Sequence, residues 1–311
     1  MGDLLSVVLV TWNSARYLRR CLEGIAGQTH RNRELIVVDN ASTDDSTRLA
    51  PPTIRNETNR GFSAAVNQAI ALARGEYVLL VNPDCFLTPD YARLLIAALR
   101  DDIGAATGLL LRARGENLEP TNEIDSLGIR MTRTGRHLDM RSAGGTPALP
   151  FEVFGVSGAA AMYRMDFLRD VAVDGQIFDE DFFAYREDAD LAWRGRLLGW
   201  KAVCEPRAVA YHVRRVTPEA RRELPAEINM HGVKNRFLLR LRNEGAYLAL
   251  RNAPFELFRD LVVLLASLTI ERSSLPAFAW LWRNRRRVLA KRRIIQSRRK
   301  VSDRELARWF R

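Results

Sequence analysis

The sequence predicts an α/β fold: a twisted, mainly parallel sheet with helices on both faces, followed by a basic helical extension. Three observations predict it. Short Val-rich apolar runs alternate with helical stretches through the first hundred residues. Those runs are continuously apolar, as strands buried on both faces of a parallel sheet are. From about residue 225 the periodicity is helical only, and the charge turns strongly basic.

The elements follow in order. Residues 6–11 (SVVLVT) read as the first buried strand and 15–28 as a helix. Residues 34–39 (ELIVVD) form the next strand, and 41–45 (ASTDD) a loop rich in helix-capping residues. A short strand at 53–56, a helix at 61–74, a strand at 76–81 (EYVLLV), a break at Asn82-Pro83-Asp84 and a helix at 89–100 continue the alternation. Residues 103–111 add a strand. Residues 112–150, rich in Gly, Arg, Thr and Pro, read as an irregular excursion or a hairpin over a cleft. Apolar and small residues return at 153–163, with a helix at 188–198 and a strand at 200–204. Helices are expected at 226–243, 254–270, 276–295 and 302–310. The division is a body over 1–212 and a basic helical region over 213–311.

With 311 residues, 47% of them hydrophobic, the chain can bury a large core, and its 27% of charged residues of both signs argue against wholesale disorder. The charge is unevenly spread. Residues 212–311 hold 24 Lys and Arg against nine Asp and Glu, whereas residues 1–211 hold 24 against 28. A mildly acidic body thus carries a basic tail, which fits a polyanionic partner. Cys21, Cys85 and Cys204 lie far apart with no CxxC spacing, so zinc is disfavoured and a reducing cytoplasm is expected. The first residues lack a positively charged leader. The longest apolar run, 261–270, is shorter than the ~20 residues a membrane span needs.

Ligands of open parallel sheets bind beyond the carboxyl ends of the strands. Asp39 and Asp84 sit at such ends. No GxGxxG or GxxxxGK[ST] motif occurs, which disfavours an NAD oxidoreductase and a P-loop nucleotidase. Asp84 can instead hold a hard divalent ion together with substrate phosphates, although Asn-Pro-Asp is also an ordinary turn. The segment 178–190 (FDEDFFAYREDAD) packs six carboxylates among aromatic residues. Some of these suit a helix N-terminus, and Glu187-Asp188 can present a general base to a cleft.

Taken in order, SVVLVTWN (6–13), ELIVVDNASTDDS (34–46), NRGFSAAVN (59–67), YVLLVNPD (77–84), VSGAAAMY (156–163) and FDEDFFAYREDADLAWR (178–194) resemble the family-2 glycosyltransferases of GT-A type, a Rossmann-like fold. The resemblance covers about two-thirds of the chain. It implies an inverting transfer from a nucleotide-diphosphate sugar, with Mg²⁺ or Mn²⁺ as cofactor. It implies Asp188 as catalytic base, supported by Glu187, Asp190 and Arg194. Donor contacts fall on Thr11, Asn13, Asp39, Asn40, Asn59, Gly61, Phe62, Asn67 and Asn82. Metal ligation falls on Asp84 and, as in some relatives, on His212. Asn82 stands where the family's D-x-D motif has its first Asp, which weakens the metal site or turns Asn82 toward the donor. The Asn-Pro-Asp form resembles the bacterial rhamnosyltransferase branch. That implies dTDP-rhamnose as donor and a cell-surface polysaccharide or polyprenyl-linked glycan as acceptor. Galactofuranose, hexose and N-acetylhexosamine donors are the alternatives.

In the tail, Phe255, Phe258, Leu261, Val262 and Leu265 share a helical face, and Trp280 and Trp282 adjoin an Arg run. This points to an anionic membrane surface at the inner face of the cell membrane. The competing reading packs 254–270 on the body or on a second copy in a homodimer. The Arg-rich 283–300 is harder to account for by packing. A nucleic-acid partner is disfavoured, because the pattern supplies no base-stacking sheet. A non-catalytic scaffold is disfavoured by the retained Asp39, Asp84 and Asp188.

Overall fold

The computed structural model describes residues 3–115, 117–142, 148–214 and 226–311. The first half contains β1 (Leu5–Thr11), α1 (Ala15–Ala26), β2 (Arg33–Asp39), α2 (Ser46–Leu49), β3 (Ile54–Arg55), α3 (Phe62–Leu72), β4 (Tyr77–Val81), β5 (Cys85–Leu87), α4 (Tyr91–Ala98) and β6 (Ile103–Arg114). There follow β7 (Glu119–Ser126), β8 (Ile129–Met131), β9 (His137–Asp139), β10 (Phe151–Val153), β11 (Ala160–Arg164), α5 (Met165–Val171), α6 (Glu187–Leu198) and β12 (Lys201–His212). The C-terminal helices are α7 (Ala226–Asn243), α8 (Ala246–Thr269), α9 (Pro276–Arg283), α10 (Arg285–Ser297) and α11 (Asp303–Leu306).

One sheet runs β10-β12-β6-β11-β4-β1-β2-β3, with β5 beside β12 and β7 beside β6. Along this path β3, β2, β1 and β4 are mutually parallel, as are β6 and β12; β11 lies antiparallel between β4 and β6. The central sheet is therefore mainly parallel. β1 shows why its sequence is continuously apolar: Leu5, Val7 and Leu9 join the core under α1 and α4, while Val8 and Val10 join the core under α3 and α5.

Of the two readings of the stretch after 111, the hairpin is the one observed: β6 continues into an antiparallel hairpin with β7, and β8 pairs with β9. Residues 143–147 of that stretch lie outside the described residues. Other expectations need correction. The strand expected at 200–204 runs on to His212, across a register shift between Glu205 and Val209. Pro206 lies in that shift, where a missing N–H costs no ladder bond. α8 starts eight residues before the expected 254 and carries Pro254 inside it.

The Arg-rich stretch does pack. Lys291 donates to Asp179 at 2.9 Å, Arg287 pairs with Asp181 at 2.5 Å, Arg242 of α7 pairs with both, and Arg298 pairs with Asp170. Part of the charge asymmetry is thus internal: basic helices neutralise the acidic segment before α6. A third apolar cluster joins Phe154 and Trp193 of the body to Leu238, Leu239, Val288 and Phe310.

Candidate active site

The parallel register sets Thr11 opposite Asp39 at the carboxyl ends of β1 and β2. The Thr11 hydroxyl donates to Asp39 Oδ1 at 2.8 Å, and the Ser42 N–H donates to Oδ2 at 2.9 Å, within a wholly buried setting. Asn13, at φ 47°, accepts from the N–H and hydroxyl of Thr43 and so ties the loop after β1 to the loop after β2.

Asn40 holds the next loop. Its amide donates to Asn59 Oδ1 (2.9 Å) and to the Gly61 carbonyl (3.1 Å), and accepts from Asn56 and from the Arg60 N–H. Its hydrogen-bonding capacity is thereby filled, so Asn40 shapes the loop. Gly61 stands at φ 84°, and a Cβ there would lie 2.5 Å from the Phe183 ring. Glycine is required on both counts. Phe62 opens α3, half-buried. Asn67 is fully engaged as well: it donates to the Phe178 carbonyl (2.7 Å) and Glu180, and accepts from the Phe178 N–H. It anchors the acidic segment to α3.

Asn82 follows β4, its N–H donating to the Ala159 carbonyl at 2.9 Å; its side-chain amide is half-buried and unbonded among the described residues. Antiparallel pairing of β5 with β12 brings His212 alongside Cys85, and His212 Nε2 then stands 3.6 Å from Asp84 Oδ1. The other ring nitrogen, Nδ1, lies 2.8 Å from Asp125 Oδ2. Asp125, wholly buried on β7, also accepts from Arg214, which reaches Asp139 of β9. Burial alone would lower the His212 pKa, but Asp125 and Asp84 outweigh it and bring it up to about 9. Asp125, despite its burial, is held down to about 2 by His212 and Arg214.

No cluster of three or more His, Cys, Asp or Glu able to hold a metal occurs among the described residues. The Asp84–His212 pair nevertheless fits an ion that takes its remaining ligands from a diphosphate and water. A ligating histidine ordinarily gives its second nitrogen to a carboxylate, as His212 does to Asp125.

Glu187 and Asp188 begin α6. Asp188 Oδ2 accepts from the Gly158 N–H at 3.2 Å and Oδ1 from the Ala189 N–H at 2.7 Å. The loop 158–159 therefore touches both Asp188 and Asn82, so the β4 end and the α6 start share one support. Burial raises the Asp188 carboxyl above the ordinary range, against the pull of those two N–H groups, and the charge of Asp139 adds to the rise. Burial and then the Asp188 charge raise Glu187, whose Oε2 has no hydrogen-bond partner among the described residues. Two adjacent carboxyls of this kind share protons as a pair.

Asp190 and Arg194 are buried and face the other way. Arg194 pairs with Asp190 at 2.8 Å and donates to the carbonyls of Val171 and Ile177, while Asn243 of α7 donates to Asp190. They lock α6 to its neighbours and do not flank Asp188. The segment ahead of Asp188 has an unforeseen clamp. Asn235 Nδ2 lies 2.8 Å from the carbonyls of Phe182, Ala184 and Tyr185, and Lys234 Nζ 2.5 Å from that of Asp181. Asp125 and Asn235 were not visible in the sequence.

A family model described as "Glycosyl transferase family 2" matches residues 6–172, more than half of the chain. Among similar proteins is the Mycobacterium tuberculosis N-acetylglucosaminyl-diphospho-decaprenol L-rhamnosyltransferase, 30% identical over 68% of this chain and 76% of that protein. Another is the Escherichia coli chondroitin synthase, 32% identical over 33% of this chain but only 16% of that protein. The match spans 31% of the Streptococcus pneumoniae glycosyltransferase GlyG, so these relatives extend well beyond the shared part. Among solved structures, GalNAc-T7 with UDP, GalNAc and Mn²⁺ superposes with a TM-score of 0.62 at 16% identity, over 77% of this chain and 48% of that one. The Pyrobaculum calidifontis mannosyltransferase PcManGT with GDP-Man and Mn²⁺ gives 0.55 at 20% identity, over 96% and 86%. These two show a shared GT-A fold.

Proposed function

The chain belongs to glycosyl transferase family 2, and from that premise we propose that it transfers a sugar from a nucleoside-diphosphate donor to an acceptor hydroxyl with inversion at the anomeric carbon. The observation that carries this reading is Asp188: a half-buried carboxylate at a helix start, held by two N–H groups and raised toward neutral pH. A base so placed removes a proton most effectively near its working pH. Asp188 takes the acceptor hydroxyl proton as that oxygen bonds to the anomeric carbon. The bond from that carbon to the diphosphate oxygen breaks on the opposite face, its electron pair leaving with the nucleoside diphosphate. The loops fixed by Thr11, Asn13, Asp39, Asn40, Asn59, Gly61, Phe62 and Asn67 form the donor side, with Asn82 beside them. A divalent ion, Mg²⁺ or Mn²⁺, would be held by Asp84 and His212 and would offset charge on the leaving diphosphate.

The mycobacterial relative, a rhamnosyltransferase by name and matched over most of both chains, supports rhamnose as the sugar transferred, for which dTDP-rhamnose is the donor we propose, and a lipid-linked glycan as acceptor. The lipid-linked acceptor in that relative's name suits a peripheral position at the inner membrane face; no helix among the described residues is long and apolar enough to cross a membrane. The division into a catalytic body over 1–212 and a docking region over 213–311 is part of the same proposal. Nucleoside diphosphate release across a panel of nucleotide sugars, with membrane extract as acceptor source, tests it. Metal-dependent release from dTDP-rhamnose is expected. Release from another donor alone would discard the rhamnosyl reading and keep the class; silence across the panel would remove the enzyme reading.

Asp125→Asn tests the metal arrangement without turnover. The neutral amide no longer fixes the charge and orientation of His212, so Mn²⁺ affinity, read by paramagnetic resonance of the free ion, should fall about 10–100-fold. Unchanged affinity would take His212 out of the metal site.

A further inference from the structure

We infer that the outward face of α8 is a docking surface for an anionic lipid bilayer. This deepens the proposed function, which places the acceptor on a lipid, by naming the surface that brings the chain to it. At about 100° per residue, Leu250, Leu257, Phe258, Leu261, Leu265 and Leu268 fall within roughly one-third of the helix circumference. They are exposed, Leu250 by 79%, Phe258 by 70% and Leu257 by 68%. No charged residue interrupts this stripe. Glu256 and Asp260 lie away from it and pair with Arg240 and Arg236 of α7, on the side where Leu248 and Asn252 are buried, and Arg251, at the edge of the stripe, donates to the carbonyls of Ala307 and Phe310. The helix is held by its polar side and presents its apolar side outward, over about five turns. Large aliphatic groups left in water on this scale mark an interaction surface.

The charge beyond α8 names the occupant. Trp282 is 69% exposed, with the Arg285 guanidinium 4.2 Å from its ring centroid. Arg272, Arg283, Arg286 and Arg293 are exposed and make no ion pair among the described residues, in contrast to Arg287 and Lys291, which the acidic segment neutralises. An apolar stripe with unneutralised arginines and an exposed tryptophan suits acyl chains below and anionic headgroups around it. A second copy meeting this face about a two-fold axis would instead set arginine against arginine. No described helix is long and apolar enough to span the bilayer.

The experiment is co-sedimentation of the full chain with phosphatidylglycerol-containing vesicles and with pure phosphatidylcholine vesicles, at low and high salt. The variant combines Leu257→Ser, Leu261→Ser and Leu268→Ser, none of which touches the candidate active site. Binding to anionic vesicles at low salt is expected, at least about tenfold weaker for the neutral vesicles and at least about tenfold weaker for the triple variant. Three outcomes overturn the inference: no binding to anionic vesicles at low salt, equal binding to both vesicle types, or a triple variant that binds like the parent. A parent dimer in sedimentation that dissociates in the triple variant would also overturn it, assigning the face to self-association. Nucleoside diphosphate release is measured in parallel, so loss of docking and loss of the enzyme reading are separately visible.

Discussion

Asp188→Asn should reduce turnover by about 10²–10⁴-fold, the range that a positioned general base contributes, while leaving donor affinity close to that of the parent. The replacement keeps the size of the side chain and one acceptor for the N–H groups of Gly158 and Ala189, but cannot take up the hydroxyl proton. In the proposed arrangement the donor lies against the ends of β1, β2 and β4 and the loop at 56–61, whereas the hydrogen bonds of Asp188 come from Gly158 and Ala189. Calorimetry with the donor and single-turnover kinetics therefore separate the two terms; turnover near the parental rate would remove Asp188 from the role of base. The pH profile gives a second readout. The Asp188 carboxyl is raised by burial and by the Asp139 charge, and a protonated carboxyl cannot act as base. Hence kcat/KM should rise with pH along a limb above the ordinary carboxylate range, and the residual activity of Asp188→Asn should lack that limb. Glu187 is raised further, by burial and then by the Asp188 charge, so it is neutral while Asp188 ionises, and Glu187→Gln should leave the limb in place.

β1, β2 and β4 were readable because each holds one contiguous apolar run, and those of β1 and β2 end on residues that β-pairing brings into register, Thr11 and Asp39; the three-residue β5 at Cys85–Leu87 is too short to leave such a pattern and was not read. Sequence order alone placed Asp39, Asp84 and Asp188 at the ends of elements. It could not show that the amides of Asn40 and Asn67 are filled by neighbouring loops, or that Asp190 and Arg194 point into the packing, because those facts depend on partners far away in the chain. Asp125 lies on EPTNEIDS, a strand whose polar composition carries no sign that its seventh residue is wholly buried. The C-terminal half inverts the usual rule. α7 buries Lys234, Asn235, Arg236, Arg242 and Asn243 against the body, while α8 exposes its leucines. Periodicity assumes that polar residues face water, and here the acidic segment 179–181 supplies the counter-charges that let basic residues turn inward.

That inversion leads to the second large effect. Of the four residues 183–186, three sit at positive φ: Phe183 at 65°, Tyr185 at 69° and Arg186 at 73°. Each such non-glycine residue costs on the order of 1–3 kcal/mol and persists only where its surroundings over-determine it. The surroundings are α7: the single Asn235 amide spans the carbonyls of residues 182, 184 and 185. Asn235→Ala leaves those carbonyls without their donor in a buried place, at a cost of about 1–3 kcal/mol, and frees the segment to relax toward ordinary φ. Asp188 follows two residues after the last restrained position, and a base displaced by about 1 Å loses on the order of 10²-fold in rate. The expected result is a fall in kcat of that size with little change in donor affinity, in a protein that still unfolds cooperatively. Amide exchange should accelerate at 182–188 and stay slow in β1 and β4. A purely structural role would lower stability and leave kcat at the parental value well below the unfolding temperature, and that outcome would separate α7 from catalysis.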